Sequence, residues 1–253
     1  MNDKEYDALP GIRRSDLWHM NTTPMHYKYH AEHPDEPTKA LTFGQAAHKY
    51  MLEPETFWDE FAIIPNVDRR TKAGKEDYRA FAEAAADKTW ITEDEYDTIA
   101  GMRAELFRDP YYADLMSAGE HEVPITWTDD ETGEPLKMKS DILDDVNRVI
   151  YDYKTTVSAA DGVFERDARR YGYDFQAGFY TAGIESERME RYGFGFIVQE
   201  KTPPYAVRLY ICDRGFIAQG RSKFRRLLNQ YHECKTANDW PGYIEETLYA
   251  EEY

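Results

Sequence analysis

Three residues near the middle of the chain have the types and spacing that phosphate chemistry requires: Asp141, Asp152 and Lys154. The segments that contain the two aspartates resemble neighbouring strands, so we expect both carboxylates to converge at the strand ends. Asp152 and Lys154 are two residues apart and therefore project from the same face of their strand. Two adjacent carboxylates repel each other unless a divalent cation lies between them, and oxygen ligands suit Mg²⁺ or Mn²⁺. Such a cation polarises a phosphoryl oxygen and the lysine neutralises developing charge, so the trio predicts phosphodiester hydrolysis.

This spacing alone is weak support, because a chain with 48 Asp and Glu residues will often place two acids and a lysine together. The alternative is a solvated strand edge with incidental ion pairs. The local sequence favours a functional site, since Asp152 and Lys154 lie within the apolar run VIYDYKTT. An unpaired charge in an apolar strand costs several kcal/mol, so charges placed there need a compensating role.

Hydrophobic periodicity predicts the elements that position these residues. In chain order they are helices over 41–53, 76–88 and 92–108, strands over 122–127, 136–143 and 148–154, a helix over 161–190, strands over 192–199 and 205–212, and a helix over 213–236. The segment 65–75 is a basic, glycine-containing loop. This order of elements predicts an α/β fold with a mixed central β-sheet flanked by helices.

The length of 253 residues predicts one compact domain that buries roughly 70–75% of its unfolded surface. No internal repeat or low-complexity linker divides the chain. We expect residues 1–120 to form a mainly helical N-terminal part, residues 121–236 to form the catalytic core, and residues 237–253 to form an acidic tail.

The net charge of −17, with 31 Lys and Arg against 48 Asp and Glu, excludes a protein that coats nucleic acid or anionic membrane with its whole surface. The charge is unevenly distributed. Residues 148–226 contain 14 Lys and Arg against 10 Asp and Glu, and Arg69, Arg70, Lys72 and Lys75 form a second basic group. These residues could guide a phosphate backbone to the site, although solvated helix faces also carry such charges.

Two cysteines, Cys212 and Cys234, are too few for a zinc site built from thiolates or for a four-thiolate iron–sulfur cluster. We expect both to be reduced thiols. The chain has no apolar run near the roughly 18–20 residues of a membrane helix, and its first residues show no signal-peptide pattern. A cytoplasmic protein is the expectation.

Four short motifs, in order along residues 44–180, resemble the RecB-like branch of the PD-(D/E)xK nuclease superfamily, which has a restriction-endonuclease-like core. They are Gly44-Gln45-Ala46-Ala47-His48, Lys139-Ser140-Asp141, Asp152-Tyr153-Lys154-Thr155, and Gln176-Ala177-Gly178-Phe179-Tyr180. The segments 24–27, 36–44, 52–55, 69–75, 127–133 and 171–176 are further similar to RecE-type exonucleases (exodeoxyribonuclease VIII-like). The resemblance therefore covers most of the chain.

The resemblance implies a set of metal ligands. Asp141 and Asp152 would hold Mg²⁺, with Mn²⁺ as a substitute, and His48 and the backbone carbonyl of Tyr153 would complete the set. Asp152 stands where many restriction-type relatives have Glu, which shortens the reach of the carboxylate by one methylene. Glu122 begins the first hairpin strand and could also reach the site, but the motifs give it no role.

The resemblance also implies that Lys154 is the catalytic lysine. Gln176 and Tyr180 would support this lysine or touch the scissile phosphate, because residues at i and i+4 share one helix face. The family often has Arg-Pro before the first aspartate, where this chain has Lys139 and Ser140. The basic residue is thus kept and the proline is replaced.

The activity implied by the resemblance is Mg²⁺-dependent exodeoxyribonuclease action on the ends of linear double-stranded DNA. It would proceed processively from 5′ to 3′ and leave 3′ single strands for recombination in a phage or a bacterial host. The family implies a ring-like homotetramer and a RecT-type single-strand annealing protein as partner.

Two alternatives stay open from the sequence. One is a RecB-like single-strand DNA nuclease of the CRISPR-adaptation type, which the presence of only two cysteines disfavours. The other is a non-catalytic acidic module that mimics DNA or binds a DNA-binding protein. The second alternative predicts no divalent-metal binding, so a metal titration separates it from the nuclease hypotheses.

Overall fold

A computed structural model describes residues 3–34 and 36–243 of the protein. The N-terminal half is mainly helical. Its elements are α1 (Asp3–Ala8), α2 (Arg14–Trp18), a 3₁₀ turn (His19–Asn21), α3 (Pro24–Glu32), α4 (Lys39–Leu52), α5 (Phe57–Glu60), β1 (Phe61–Ile63), α6 (Lys72–Ala84), β2 (Thr89–Ile91), α7 (Glu93–Arg108) and α8 (Pro110–Ser117). β1 and β2 pair in parallel as a separate two-stranded sheet.

The C-terminal half contains the main sheet. Its elements are β3 (Glu120–Thr128), β4 (Pro135–Asp144), β5 (Val149–Thr156), α9 (Val163–Tyr171), α10 (Tyr173–Arg188), β6 (Gly193–Glu200), β7 (Val207–Ile211) and α11 (Arg214–Ala237). The strand order is β3-β4-β5-β6-β7. β5 and β6 are parallel, and the crossover through α9 and α10 makes this possible, whereas the other neighbours are antiparallel.

Two apolar cores cover the two faces of this sheet, because side chains alternate along each strand. Ile150 of β5 packs in one core with residues of α10 and α11. Tyr151 and Tyr153 pack in the other core with residues of α4 and α7. The predicted fold, a mixed α/β domain with helices on both faces of a mixed sheet, is confirmed.

The predicted helix over 161–190 is wrong in one respect, because it is interrupted at Gly172 between α9 and α10. Gly172 has φ of 64°, and the ring of Trp18 lies where a Cβ would be. Arg14 donates a hydrogen bond of 2.7 Å to the Gly172 carbonyl. The N-terminal segment therefore packs against this break. This packing is a long-range contact that the sequence around Gly172 does not reveal.

Other boundaries differ by a few residues. α6 begins at Lys72, inside the predicted basic loop, because the Thr71 hydroxyl accepts a hydrogen bond from the Gly74 amide as an N-cap. The short elements β1, β2 and α8 were not predicted. Within the described residues no helix is long and apolar enough to cross a membrane. Residues 244–253 of the predicted acidic tail lie outside the described part of the chain.

Candidate active site

Asp141 and Asp152 face each other where β4 and β5 separate. The β4–β5 ladder pairs Ile142 with Tyr151 and does not extend to the aspartates, which occupy the next opposite positions. The freed amide of Tyr153 instead donates a hydrogen bond of 2.8 Å to Asp141 Oδ2. The two carboxylates converge as predicted, but they do so inside β4 and β5, where the strands separate, and not at the strand ends. Asp141 is oriented by the backbone of β5.

His48 reaches the same point from α4. Its Nε2 lies 2.8 Å from Asp141 Oδ2, and its Nδ1 lies 3.5 Å from Glu122 Oε1. His48, Glu122 and Asp141 each offer a ligand atom within 4.8 Å of the others. Among the described residues these three form a group whose ligand atoms are close enough together to hold a metal ion.

Glu122 takes its position from an interruption of the β3–β4 hairpin. The ladder pairs His121 with Ile142 and Val123 with Ser140, so Glu122 lies opposite Asp141. Glu122 has φ of 52°, a backbone conformation that residues other than glycine rarely adopt. Such backbone strain is typical of functional sites, and here it accompanies a carboxylate turned toward His48 and Asp141, with which it forms the candidate metal-ligand group.

Lys154 lies beside Asp152, with Nζ at 2.6 Å from Asp152 Oδ2. Its ammonium also lies 5.3 Å from the centroid of the Tyr173 ring. The side chains of Asp152 and Lys154 share a face of β5, as the alternation of the strand predicted. An ammonium held by a carboxylate and an aromatic ring stays charged and oriented in a buried setting.

Gln176 on α10 contacts Asp152 rather than Lys154. Its side-chain amide donates a short hydrogen bond to Asp152 Oδ1. Tyr180, one turn further along the helix, borders a second cavity of about 320 Å³ together with Arg14, Lys139 and Gln176. Both helix residues line this second cavity, and His48 does not.

Tyr153 contributes to the site through its backbone. Its side chain points to the other face of the sheet, where its hydroxyl donates a hydrogen bond of 2.6 Å to Gln199 Oε1. Gln199 Nε2 donates in turn to the Met102 carbonyl of α7 at 2.8 Å. This buried chain of hydrogen bonds fixes the middle of β5 against the helical layer.

Burial and mutual interaction shift the pKa values of the site residues. Burial raises the pKa of Asp152 to about 6, against the opposing effect of Lys154. Burial also raises the pKa of Glu122. Burial lowers the pKa of His48, but Asp141 and Glu122 outweigh it and raise the pKa to about 9. The same attraction to His48 keeps the pKa of Asp141 below its ordinary value although burial opposes it. The carboxylates therefore form a site that favours a nearby cation.

The group is open to solvent through a cavity of about 580 Å³. Its walls come from α4, from the small sheet and from strands β3, β4 and β5, and its lining includes His48, Glu122, Asp141, Tyr153 and Lys154. A charged ligand can reach the carboxylates through this opening.

The residues present fit a hard divalent cation. Glu122 Oε1 is buried and accepts no hydrogen bond, which leaves an acceptor that a cation would satisfy. Carboxylate oxygens with one imidazole are ligands that Mg²⁺ and Mn²⁺ accept. Cys212 and Cys234 are free thiols and lie outside this group.

The fold and the site together define a PD-(D/E)xK-type protein: a mixed sheet whose central strands diverge at two aspartates, with a lysine two residues after the second. The chain belongs to the family described as PDDEXK-like domain of unknown function (DUF3799), whose model matches residues 14–253. The predicted membership of the PD-(D/E)xK nuclease superfamily is thereby confirmed, and family and site support a nuclease. The narrower RecE-type assignment stays a prediction.

Solved structures agree with this fold. The crystal structure of a protein from Eubacterium rectale described as a "putative exonuclease" superposes with a TM-score of 0.62 at 14% identity, covering 98% of this chain and 96% of that one. The crystal structure of SSO0001 has a TM-score of 0.30 at 15% identity, covering 72% and 85%, and carries no argument. No curated protein matches the chain.

The structure brings together all the residues that the sequence proposed, namely His48, Asp141, Asp152, Tyr153, Lys154, Gln176 and Tyr180. Sequence reasoning placed Glu122 within reach of the site without a definite role and noted Lys139 only as the basic residue before Asp141. It did not single out Arg14 or Tyr173. Glu122 was detectable, because the turn at 129–133 sets the hairpin register and places it opposite Asp141. The approach of Arg14 and Tyr173 depends on long-range packing and has no local signal.

Proposed function

We propose that the protein is a Mg²⁺-dependent exodeoxyribonuclease that hydrolyses linear double-stranded DNA processively from 5′ to 3′ and leaves 3′ single strands for recombination. The observation that carries the proposal is the convergence of His48, Asp141 and Lys154 at one open cavity, with Asp152 buried beside Lys154. The exonucleolytic mode and its polarity derive from the RecE-type resemblance, and the description of the structural neighbour is consistent with exonuclease action.

Asp141, Asp152, His48 and the Tyr153 carbonyl would hold Mg²⁺, with Mn²⁺ as a substitute. When bound, the ion supplies Lewis-acid polarisation of a phosphoryl oxygen and lowers the pKa of a bound water. The chain itself orients this chemistry: the Tyr153 amide fixes Asp141, and the Gln176 amide fixes Asp152.

Lys154 would stabilise the negative charge that develops on the phosphate. Burial lowers its pKa, but Asp152 and Asp141 outweigh it and raise the pKa above its ordinary value, so the ammonium keeps its proton. A fixed positive charge beside the reacting phosphate acts without reorganisation during the reaction. Tyr180 would border the path of the DNA strand on the far side of Lys154.

The assembly and the partner are part of the same proposal. A ring-like homotetramer in the cytoplasm would let DNA pass a locally basic surface while the acidic excess faces solvent, which fits a net charge of −17. The 3′ strands would pass to a RecT-type single-strand annealing protein.

Digestion of end-labelled DNA tests the proposal. A duplex carries one label at the 5′ end or at the 3′ end of the same strand, and a covalently closed circle of the same sequence serves as control. With Mg²⁺ we expect immediate release of the 5′ label, late release of the 3′ label and an intact circle. Early loss of the 3′ label would refute the polarity. Cleavage of the circle at the same rate would refute exonuclease action, and preference for single-stranded oligonucleotides would favour the single-strand alternative.

A further inference from the structure

The ammonium group of Lys139 forms an ion pair with Glu122. The two residues lie on neighbouring strands of the β3–β4 hairpin, where Lys139 pairs with Pro124 and is thus diagonal to Glu122. The Lys139 ammonium contacts Glu122 Oε2 directly. The Glu122 side chain is 9% exposed and the Lys139 side chain 20% exposed, so solvent screens this ion pair only weakly.

The other oxygen of Glu122 is oriented toward the metal-ligand group. Glu122 Oε1 accepts no hydrogen bond and lies 3.5 Å from His48 Nδ1. His48 lies in turn 2.8 Å from Asp141. A divalent ion held by these three residues would lie next to the Lys139 ammonium, and two cations a few Å apart in a buried site repel strongly.

We propose that Lys139 is an internal competitor for a second divalent-cation position formed by His48, Glu122 and Asp141. This inference rests on the proposed function and assigns His48 to the second ion, so that Asp141, Asp152 and the Tyr153 carbonyl hold the first. The Lys139 ammonium on Glu122 Oε2 weakens the binding of Mg²⁺ or Mn²⁺ at the second position, because the ion would bind Oε1 of the same carboxylate. Lys139 is therefore a positioning residue that sets metal stoichiometry, and the free protein binds one ion tightly and the second weakly.

The surroundings of Lys139 make its displacement costly. Lys139 borders both the main cavity and the second cavity, so its side chain has space on either side. The second cavity also contains Arg13, Arg14 and Lys137. An ammonium that moves toward these cations keeps the ring of Tyr6, whose centroid lies 5.8 Å from Lys139 Nζ, but it loses the attraction to Glu122 and gains repulsion, which keeps the second ion weakly bound.

Mn²⁺ binding without DNA tests this inference. Free Mn²⁺ is measured by electron paramagnetic resonance and heat by calorimetry for the wild type, Lys139→Met, Glu122→Gln and the double variant. We expect Lys139→Met to tighten the weaker site by about tenfold or more, which corresponds to about 1.4 kcal/mol. Glu122→Gln should remove the weaker site, and the double variant should behave like Glu122→Gln alone.

Lys39→Met is the matched control, because it removes one positive charge from an exposed position. Unchanged or weaker Mn²⁺ binding by Lys139→Met would overturn the inference, as would an equal gain in the Lys39 variant or in the Glu122→Gln background. Lys139→Gln provides a second neutral side chain if the methionine variant does not fold.

Failure of the Lys139 inference can be distinguished from failure of the proposed nuclease function. DNA hydrolysis by the wild type with no change in Mn²⁺ binding by Lys139→Met refutes the competitor role and leaves the nuclease standing. Tighter Mn²⁺ binding by Lys139→Met without any DNA hydrolysis by the wild type refutes the nuclease and retains the cation competition.

Discussion

His48 Nε2 and Asp141 Oδ2 lie 2.8 Å apart and join α4 to the β3–β4 hairpin. One residue comes from the mainly helical N-terminal part and the other from the sheet, so this candidate metal site exists only when both parts of the fold are packed together. Thr38 caps the start of α4, and buried alanines at positions 46 and 47 let the helix approach the sheet closely.

Replacement of His48 by alanine should weaken divalent-metal binding while the fold is retained. Loss of even an outer partner of a metal site typically costs 10–100-fold in affinity, so we expect Mn²⁺ affinity to fall by at least about tenfold. Calorimetric titration measures this directly, and His33→Ala at an exposed position is the control. Equal affinity in both variants would show that the imidazole is not a ligand.

Gln176→Leu should lower DNA hydrolysis without unfolding the protein. Its amide donates the hydrogen bond that orients Asp152, and a hydrogen bond to a charged group contributes about 1.5–3 kcal/mol. We expect a loss of about tenfold or more in the rate of duplex digestion at saturating Mg²⁺. Gln219→Leu changes the same side chain at an exposed position of α11. A rate equal to that of this control would contradict the positioning role.

Asp129, at the turn of the β3–β4 hairpin, makes the free energy of unfolding depend on pH in the acidic range. Burial raises its pKa, but two hydrogen bonds from Arg225 at 2.7 and 2.8 Å and further bonds from Thr132 outweigh it and lower the pKa to about 2. A depressed carboxyl pKa stabilises the folded state above the unfolded value near 3.8, and this contribution disappears as pH falls toward 2.

We therefore expect Asp129→Asn to lower the free energy of unfolding by about 2 kcal/mol at pH 7 and by progressively less below pH 4. Urea denaturation across this pH range measures the difference. Asp130→Asn is the control, because Asp130 is the exposed neighbour in the same turn. A difference that stays constant down to pH 2 would show that the Arg225 pair is not its source.

Gly220 allows the close contact of α10 with α11. A Cβ at this position would overlap the carbonyl oxygen of Asp174, which cannot move without shifting α10. Gly220→Ala should therefore lower the free energy of unfolding by about 1–3 kcal/mol and displace Gln176 from Asp152. Gly193→Ala is the control, because its Cβ would meet only ordinary contacts at 3.6 Å or more. Thermal melting that is alike in both variants would contradict the close packing.

The main sheet and the long helices were predictable because their hydrophobic patterns extend over many residues. α4, α7 and α11 are each 14 residues or longer, and the strands β3 to β6 each have eight or more. β1 and β2 have three residues each and pair across 28 positions, so neither shows an alternation by itself.

The site residues also separate into those that the sequence predicted and those that it did not. Asp141, Asp152 and Lys154 were predictable from hairpin register and strand alternation, and the motifs added His48 and Gln176. Glu122 contacts Lys139 from a backbone conformation with positive φ, which the neighbouring residues do not indicate. Glu122 lies outside every motif, although its carboxylate belongs to the group that could hold a metal ion.

The most direct measurement is digestion of a linear duplex in Mg²⁺ by the wild type, by Asp152→Asn and by the wild type in excess chelator, with Asp130→Asn as the charge-matched control. We expect the wild type and Asp130→Asn to degrade the DNA, and Asp152→Asn to be slower by about a thousandfold. Chelator should stop the reaction. An inactive wild type, equal activity in Asp152→Asn or undiminished activity in chelator would contradict a metal-dependent nuclease built on these aspartates.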